Sequence, residues 1–351
     1  MKFRAFLERK GVTLSPKKYF IDAMSSLALG LFASLLIGTI FGTLAKYVPW
    51  GSIALMADFA KKATGAVLGI AVAYSLKAPP LVLFSAGAVG LCGNDLATAF
   101  VIGGVEKSLS AGPAGAFLCA LVATELGKLV SKETKVDILV TPVVTITSGV
   151  LLAQLICPVV AYVMYFVGTF INTATEFAPF FMGIVLSVVV GVVLTLPISS
   201  AALCAMLGLT GLAGGAATVG CCAQMVGFAV ISFRENRVGG LIAQGLGTSM
   251  LQMGNIVKKP QIWIPPTLAA AVVGPFATCL FKLECTGVSA GMGTCGLVGP
   301  IGIIADMGFT LNSVLGILIA CIALPAILSF VFNEIMRKMG WIKTGDMQLQ
   351  L

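Results

Sequence analysis

The chain has 351 residues, 58% hydrophobic and only 10% charged, with a formal net charge of +8 and no histidine. Soluble domains carry roughly 25% charged residues, so a soluble protein is excluded. The missing imidazole removes a proton relay, a metal ligand, a general base and a phosphoryl carrier in one stroke. Mean hydropathy is +1.04, and several apolar runs approach the roughly 20 residues that cross a bilayer as helix. A membrane β-barrel would alternate instead. The fold class expected is all-α, a polytopic transmembrane helical bundle. The positive excess fits Lys and Arg retained on the cytoplasmic side, and no polar domain offers a basic patch for nucleic acid.

Residues 1–21 carry Lys2, Arg4, Arg9, Lys10, Lys17 and Lys18 ahead of the first apolar run. A cleavable signal would have a shorter charged region and an A-x-A-like exit. The expectation is a cytoplasmic N-terminal basic segment over 1–21, a membrane domain over 22–333 and a cytoplasmic tail over 334–351. Ten spans are predicted, at about 22–46, 52–76, 80–104, 111–130, 138–168, 177–197, 203–230, 238–254, 262–282 and 310–333. Ten crossings put both termini in the cytoplasm, together with the 128–137 loop and Lys258–Lys259. Arg234 and Arg237 fall outside in this count, unless 198–233 forms a hairpin rather than one crossing.

Asp58, Lys61 and Lys62 near the start of the second span read as a short interfacial helix ahead of its membrane portion. The Gly-rich segment 286–308 would make a poor regular helix, each glycine costing about 1 kcal/mol relative to alanine. A re-entrant or broken segment buried in protein suits it better. An offset of 124 aligns Gly87 with Gly211, Gly90 with Gly214, Gly115 with Gly239, Thr124 with Thr248 and Pro142 with Pro266. Such a repeat, parallel or inverted, is how many transporters build two half-sites.

The ten cysteines lie mostly in apolar runs and behave there as small hydrophobes. No cysteine spacing suggests a disulfide frame or metal site, and no cofactor is expected. Cys221–Cys222 has no basic neighbour in sequence to lower a thiol pKa. Glu125, late in an apolar helix, is either a substrate- or proton-binding carboxylate or an interfacial partner of Lys128 three residues on. Asn94, beside Gly93 and Asp95, marks either an unwound helix lining a cavity or a loop between two short segments. Asp306 and Glu284 flank the Gly-rich segment as candidates for a vestibule.

Residues 177–233 hold no Lys, Arg, Asp or Glu, yet Gly, Ala, Ser and Thr run through them. Small residues let backbones approach, and inward polar groups in lipid need a partner or a ligand. Gln224, Gln244, Thr248, Gln252 and Asn255 supply uncharged hydrogen-bonding groups of the kind that hold sugars and polyols. Gln244, Thr248 and Gln252, spaced four apart, form one stripe if the segment is a regular helix. The competing reading is hydrogen bonding between helices.

The blocks KLVSKETKVDILVTP (128–142), TLPISSAAL (195–203), ATVGCCAQMVGFAV (217–230), GLIAQGLGTSMLQ (240–252) and IWIPPTLA (262–269) resemble the phosphotransferase-system enzyme IIC-like family, which includes perfringolysin-regulator-like proteins. FLERKGVTLSPKKYFIDA at one end and GWIKTGDM at the other resemble it too, so the likeness spans essentially the whole chain. The resemblance implies a bacterial inner-membrane permease subunit, often a homodimer. It binds a sugar between its helices, and a partner IIB phosphorylates the sugar at the cytoplasmic face. The Glu and His sugar motif of glucose-type members has no counterpart here, and none of its residues is carried over. A self-contained catalytic site is not expected. The alternatives are a membrane sensor that binds solute without moving it and an ion-coupled transporter.

Overall fold

The computed structural model describes residues 6–7, 9–12, 15, 17–48, 50–102, 105–196 and 200–349. Lys2, Arg4 and residues 197–199 of the TLPISSAAL block lie outside them. The described residues are 80% helical, and the chain falls into two compact units, Met1–Val167 and Gly168–Leu351.

Unit 1 begins with a helix over 17–47 (α1), interrupted by π-helical turns at Lys17–Asp22 and Phe32–Leu36. It continues through α2 (Gly51–Lys62), α3 (Thr64–Ser75), α4 (Pro80–Asp95), a hairpin of β1 (Ala97–Ile102) and β2 (Val105–Ser110), and α5 (Gly112–Val130). The last helix, α6 (Asp137–Phe177), runs on into the second unit. Glycine governs the packing of α3 on α4. A Cβ on Gly69 or on Gly90 would run into the other helix's backbone, so the two axes close to a distance only small residues allow. Along α6, Leu151, Leu155, Phe166 and Phe170 face outward, as lipid-facing side chains do.

The predicted third span, 80–104, is corrected. Helix α4 stops at Asp95, Leu96 turns extended, and Ala-Thr-Ala-Phe-Val-Ile pairs antiparallel with Val105–Ser110. β-branched and aromatic residues favour that pleated state, and the ring of Phe100 rests 5.8 Å from Tyr162 of α6. The charged start of the predicted second span forms a separate short helix, α2, parted from α3 at Ala63.

Unit 2 contains α7 (Pro179–Thr195), α8 (Ser200–Met206), α9 (Gly211–Ile231), α10 (Phe233–Ile242), α11 (Met253–Lys258), α12 (Pro260–Leu280), α13 (Val298–Met307) and α14 (Leu311–Lys338). Leu186 clusters with Ala213 and Ala216, and Gly191 meets Gly220, so α7 and α9 run parallel. Between them, Cys204 of α8 and Leu209 pack into one cluster with Ala217 and Cys221 of α9. Arg234 lies 3.0 Å from Glu334 at the end of the unit that also holds Lys259 and the tail. Helix α12 is antiparallel to α7: Ser187 donates to the Ala270 carbonyl and Thr278 to that of Pro179.

The Gly-rich segment is re-entrant, as expected. It leaves the start of α9, where the Cys285 and Gly287 amides bond to the Gly211 and Leu209 carbonyls. It descends until Gly293 meets Cys221 halfway along α9, and returns as α13, where Gly302 packs on Cys285 and Ser289. Gly293 has φ +55°, and a Cβ there would lie 2.6 Å from the Cys221 carbonyl carbon. Only glycine satisfies both constraints.

The predicted eighth span, 238–254, is not one helix. Residues Ala243–Gly247 form a π turn, Thr248 is extended, and Ser249–Gln252 form a 3-10 turn. The glycines at 245 and 247 weaken the helix, and the Thr248 hydroxyl accepts from the Met250 amide in place of a continuing helical bond. Along the 124-residue offset, Gly90 and Gly214 both press on a neighbouring backbone, whereas Gly115 is pressed against Gly93 and Gly239 has open space beside it.

Candidate functional site

The sequence candidates separate into two groups, one in each unit. In unit 1, α5 carries Glu125 and Lys128 one turn apart, and their charged groups lie 3.0 Å apart. The Lys128 side chain is 2% exposed. Its ammonium also donates to the carbonyls of Gly11, at 2.7 Å, and Leu76, at 3.2 Å. Lys18 approaches the other Glu125 oxygen at 3.8 Å, and the Tyr19 hydroxyl donates to it at 3.3 Å. Burial first, and then the Glu125 charge, push the Tyr19 phenol up to about 12, so it stays a donor at any physiological pH. This geometry matches the reading of Glu125 as a partner of Lys128, and extends it: the pair anchors the N-terminal segment to α5. Beside it, Gly11, Ser15, Lys17, Lys18, Asp22, Ser75 and Lys77 line a cavity of about 420 Å³.

Asn94 sits at the last turn of α4, donating to Asp95 at 2.6 Å. Its carbonyl oxygen is buried without a hydrogen-bond partner among the described residues. The chain beyond is the β-hairpin, which is neither an unwound helix nor a plain loop.

Unit 2 gathers the uncharged candidates other than Asn94. Gln244, Thr248 and Gln252 do not form a stripe, because the helix breaks at Thr248. The break nevertheless brings the amides together. Gln244 donates to Ser232 at 2.8 Å, Gln252 donates to Gln244 at 2.9 Å, and Asn255 donates to Gln252 at 2.9 Å. Gln244 and Gln252 are fully buried. Each amide spends its second N–H on a backbone carbonyl: Gly240 for Gln244, Met347 for Gln252 and Gln348 for Asn255. The chain of amides opens at Asn255 into a polar cavity of about 520 Å³, also lined by Leu251, Gly254, Lys258, Gly345, Gln348 and Leu349.

Gln224 stands apart on α9, fully buried, accepting from the Trp263 indole at 3.1 Å and donating to Thr267 at 3.0 Å. The same Trp263 and Thr267 line a mostly apolar cavity of about 290 Å³ with Val192, Pro260, Ile264 and Leu268.

The family model described as Phosphotransferase system, EIIC, matches residues 21–349. The chain belongs to the EIIC family. No curated protein matches it. The EIIC protein is therefore a multi-pass membrane protein and a permease component of the phosphotransferase system.

Several polar contacts of this EIIC protein escape sequence reasoning. The Thr195 and Ser249 hydroxyls meet at 2.9 Å, Ser200 donates to the Gly291 carbonyl at 2.6 Å, and Thr294 donates to the Gly245 carbonyl at 2.6 Å. The end of α7, the start of α8, the broken 243–252 stretch and the tip of the re-entrant segment are thus tied together. Interruption is the common thread, and Gly293 and Gly296 announce it for one of them. Glu284 and Asp306 sit near the open end of the re-entrant segment, where the Glu284 amide contacts the Met307 sulfur. Cys221 and Cys222 are fully buried among apolar neighbours, as small core residues.

Proposed function

We propose that this EIIC protein binds and translocates a small polar solute, a sugar, through unit 2, and that a partner IIB phosphorylates it. The observation carrying this reading is the unbroken run Ser232, Gln244, Gln252, Asn255, itself uncharged, which leads from a buried interior to a polar cavity where Lys258 is the one charged lining residue. Amides and hydroxyls exchange hydrogen bonds with a polyol at little desolvation cost, whereas a charged lining would favour ions. With no histidine in the chain, the phosphoryl group must come from elsewhere. Arg234, Arg237, Lys258, Lys259 and Lys343 are gathered at one end of unit 2, and the positive-inside rule assigns that end to the cytoplasm of a bacterial inner membrane. That is where a IIB domain would meet the solute.

Gln252→Ala removes the amide at the centre of the run. The expected result, read by titrating radiolabelled hexoses into protein in nanodiscs, is at least tenfold weaker sugar binding in protein that still folds, with stability lowered by about 1–3 kcal/mol because Gln244, Asn255 and the Met347 carbonyl lose a buried partner. Unchanged affinity in a well-folded variant would remove Gln252 from the path.

A further inference from the structure

The tail enters the amide run at the point where a solute would leave it. Beyond α14 the chain turns at Gly340, buries Ile342 and then Met347, and passes directly over Gln252 and Asn255. Met347 is fully buried in a cluster with Phe228, Ile231, Ile256 and Ile262. Its amide donates to Glu235 at 2.8 Å, and its carbonyl accepts from Asn236 at 2.8 Å and from Gln252 at 3.0 Å. One residue on, the Gln348 carbonyl accepts from Asn255 at 3.0 Å, and the Leu349 amide donates to Asn236 at 2.8 Å. Lys259 holds Asp346 at 2.6 Å. The body therefore reads the tail chiefly through its peptide groups, with one apolar anchor. The outer amides of the run are fully engaged only because the tail supplies carbonyls.

We propose that residues 345–349 are a strap that occupies the polar path and must lift for solute to pass. The proposal rests on the solute reading of unit 2. A sugar hydroxyl accepts the same N–H bond from Gln252 or Asn255 that a tail carbonyl does, so strap and solute compete for the same donors. The tail forms one wall of the 520 Å³ cavity through Gly345, Gln348 and Leu349. Lifting it both frees the amides and opens the cavity.

The test uses the full-length protein in nanodiscs with a panel of D-hexoses as probes, following hydrogen exchange of residues 345–349 and sugar affinity together. Every hexose that binds should speed exchange of the Met347 and Leu349 amides at least tenfold. Met347→Lys, which expels the apolar anchor, should bind the same hexose at least fivefold more tightly. Sugar binding with unchanged exchange would overturn the strap while leaving the solute reading intact. Equal or weaker affinity in a folded Met347→Lys protein would do the same. If no hexose binds either protein, the solute reading itself fails and the strap falls with it.

Discussion

Lys128 is the clearest case of a side chain whose cost and use can be weighed. An ammonium that is 2% exposed is tolerated because a carboxylate and two carbonyls surround it. Lys128→Met removes all three contacts and leaves Glu125 with Lys18 and Tyr19 alone. A loss of about 3–5 kcal/mol is expected for breaking a buried pair on one side, measurable as a drop in melting temperature in detergent. Glu125→Gln with Lys128→Met should cost less than the sum of the single changes, since the two groups answer each other. Uptake by Glu125→Gln separates the two readings of this residue: a wild-type pH profile assigns its charge to the pair with Lys128, and a changed profile assigns it to solute or protons. At the other end of the chain, partial burial works against the Asp346 charge, but the Lys259 ammonium and the Lys343 amide outweigh it and hold the carboxyl below its ordinary range. A lowered folded pKa means the stabilisation is present above the unfolded value, about 3.9, and is lost as pH falls through the folded one. Tail docking should therefore be constant from pH 8 to pH 5 and weaken only below about pH 4, which hydrogen exchange of the tail measures.

Among elements, the interrupted segments decide the architecture. The re-entrant segment depends on Gly293, whose φ of +55° and contact with Cys221 exclude a side chain. Gly293→Ala should lower folded yield severely, with strain and overlap each costing about 1–3 kcal/mol. Gly239→Ala, on helix α10 with open space around it, is the matched control and should gain about 0.5–1 kcal/mol. Reading these elements from sequence succeeded where composition forbids a regular helix, as over 286–308. It failed where a single extended residue breaks one. Thr248 carries no turn signature strong enough to separate a continuing helix from a π turn followed by a 3-10 turn, and Ala97–Ile102 is apolar enough to pass for the end of a span. The four-residue spacing of Gln244, Thr248 and Gln252 led to the right pair for the wrong reason, since the break and not the helical face brings Gln252 to Gln244.

On the scale of the whole molecule, membrane character was legible at once, because 10% charge in 351 residues leaves no soluble alternative. The tail's place was illegible for a physical reason. Its partners Glu235, Asn236, Gln252 and Asn255 stand 93 to 113 residues away in sequence, and peptide-group recognition imposes no side-chain pattern on the segment recognised. The central claim is that this EIIC protein moves a sugar whose phosphorylation is supplied by a partner. The direct measurement is uptake of radiolabelled hexoses into proteoliposomes, with and without phosphoenolpyruvate and purified soluble phosphotransferase components including a IIB. The account predicts accumulation of sugar phosphate inside only when those components are present, and loss of most of it in Gln252→Ala. Equal accumulation without them, or binding with no accumulation under either condition, would contradict it.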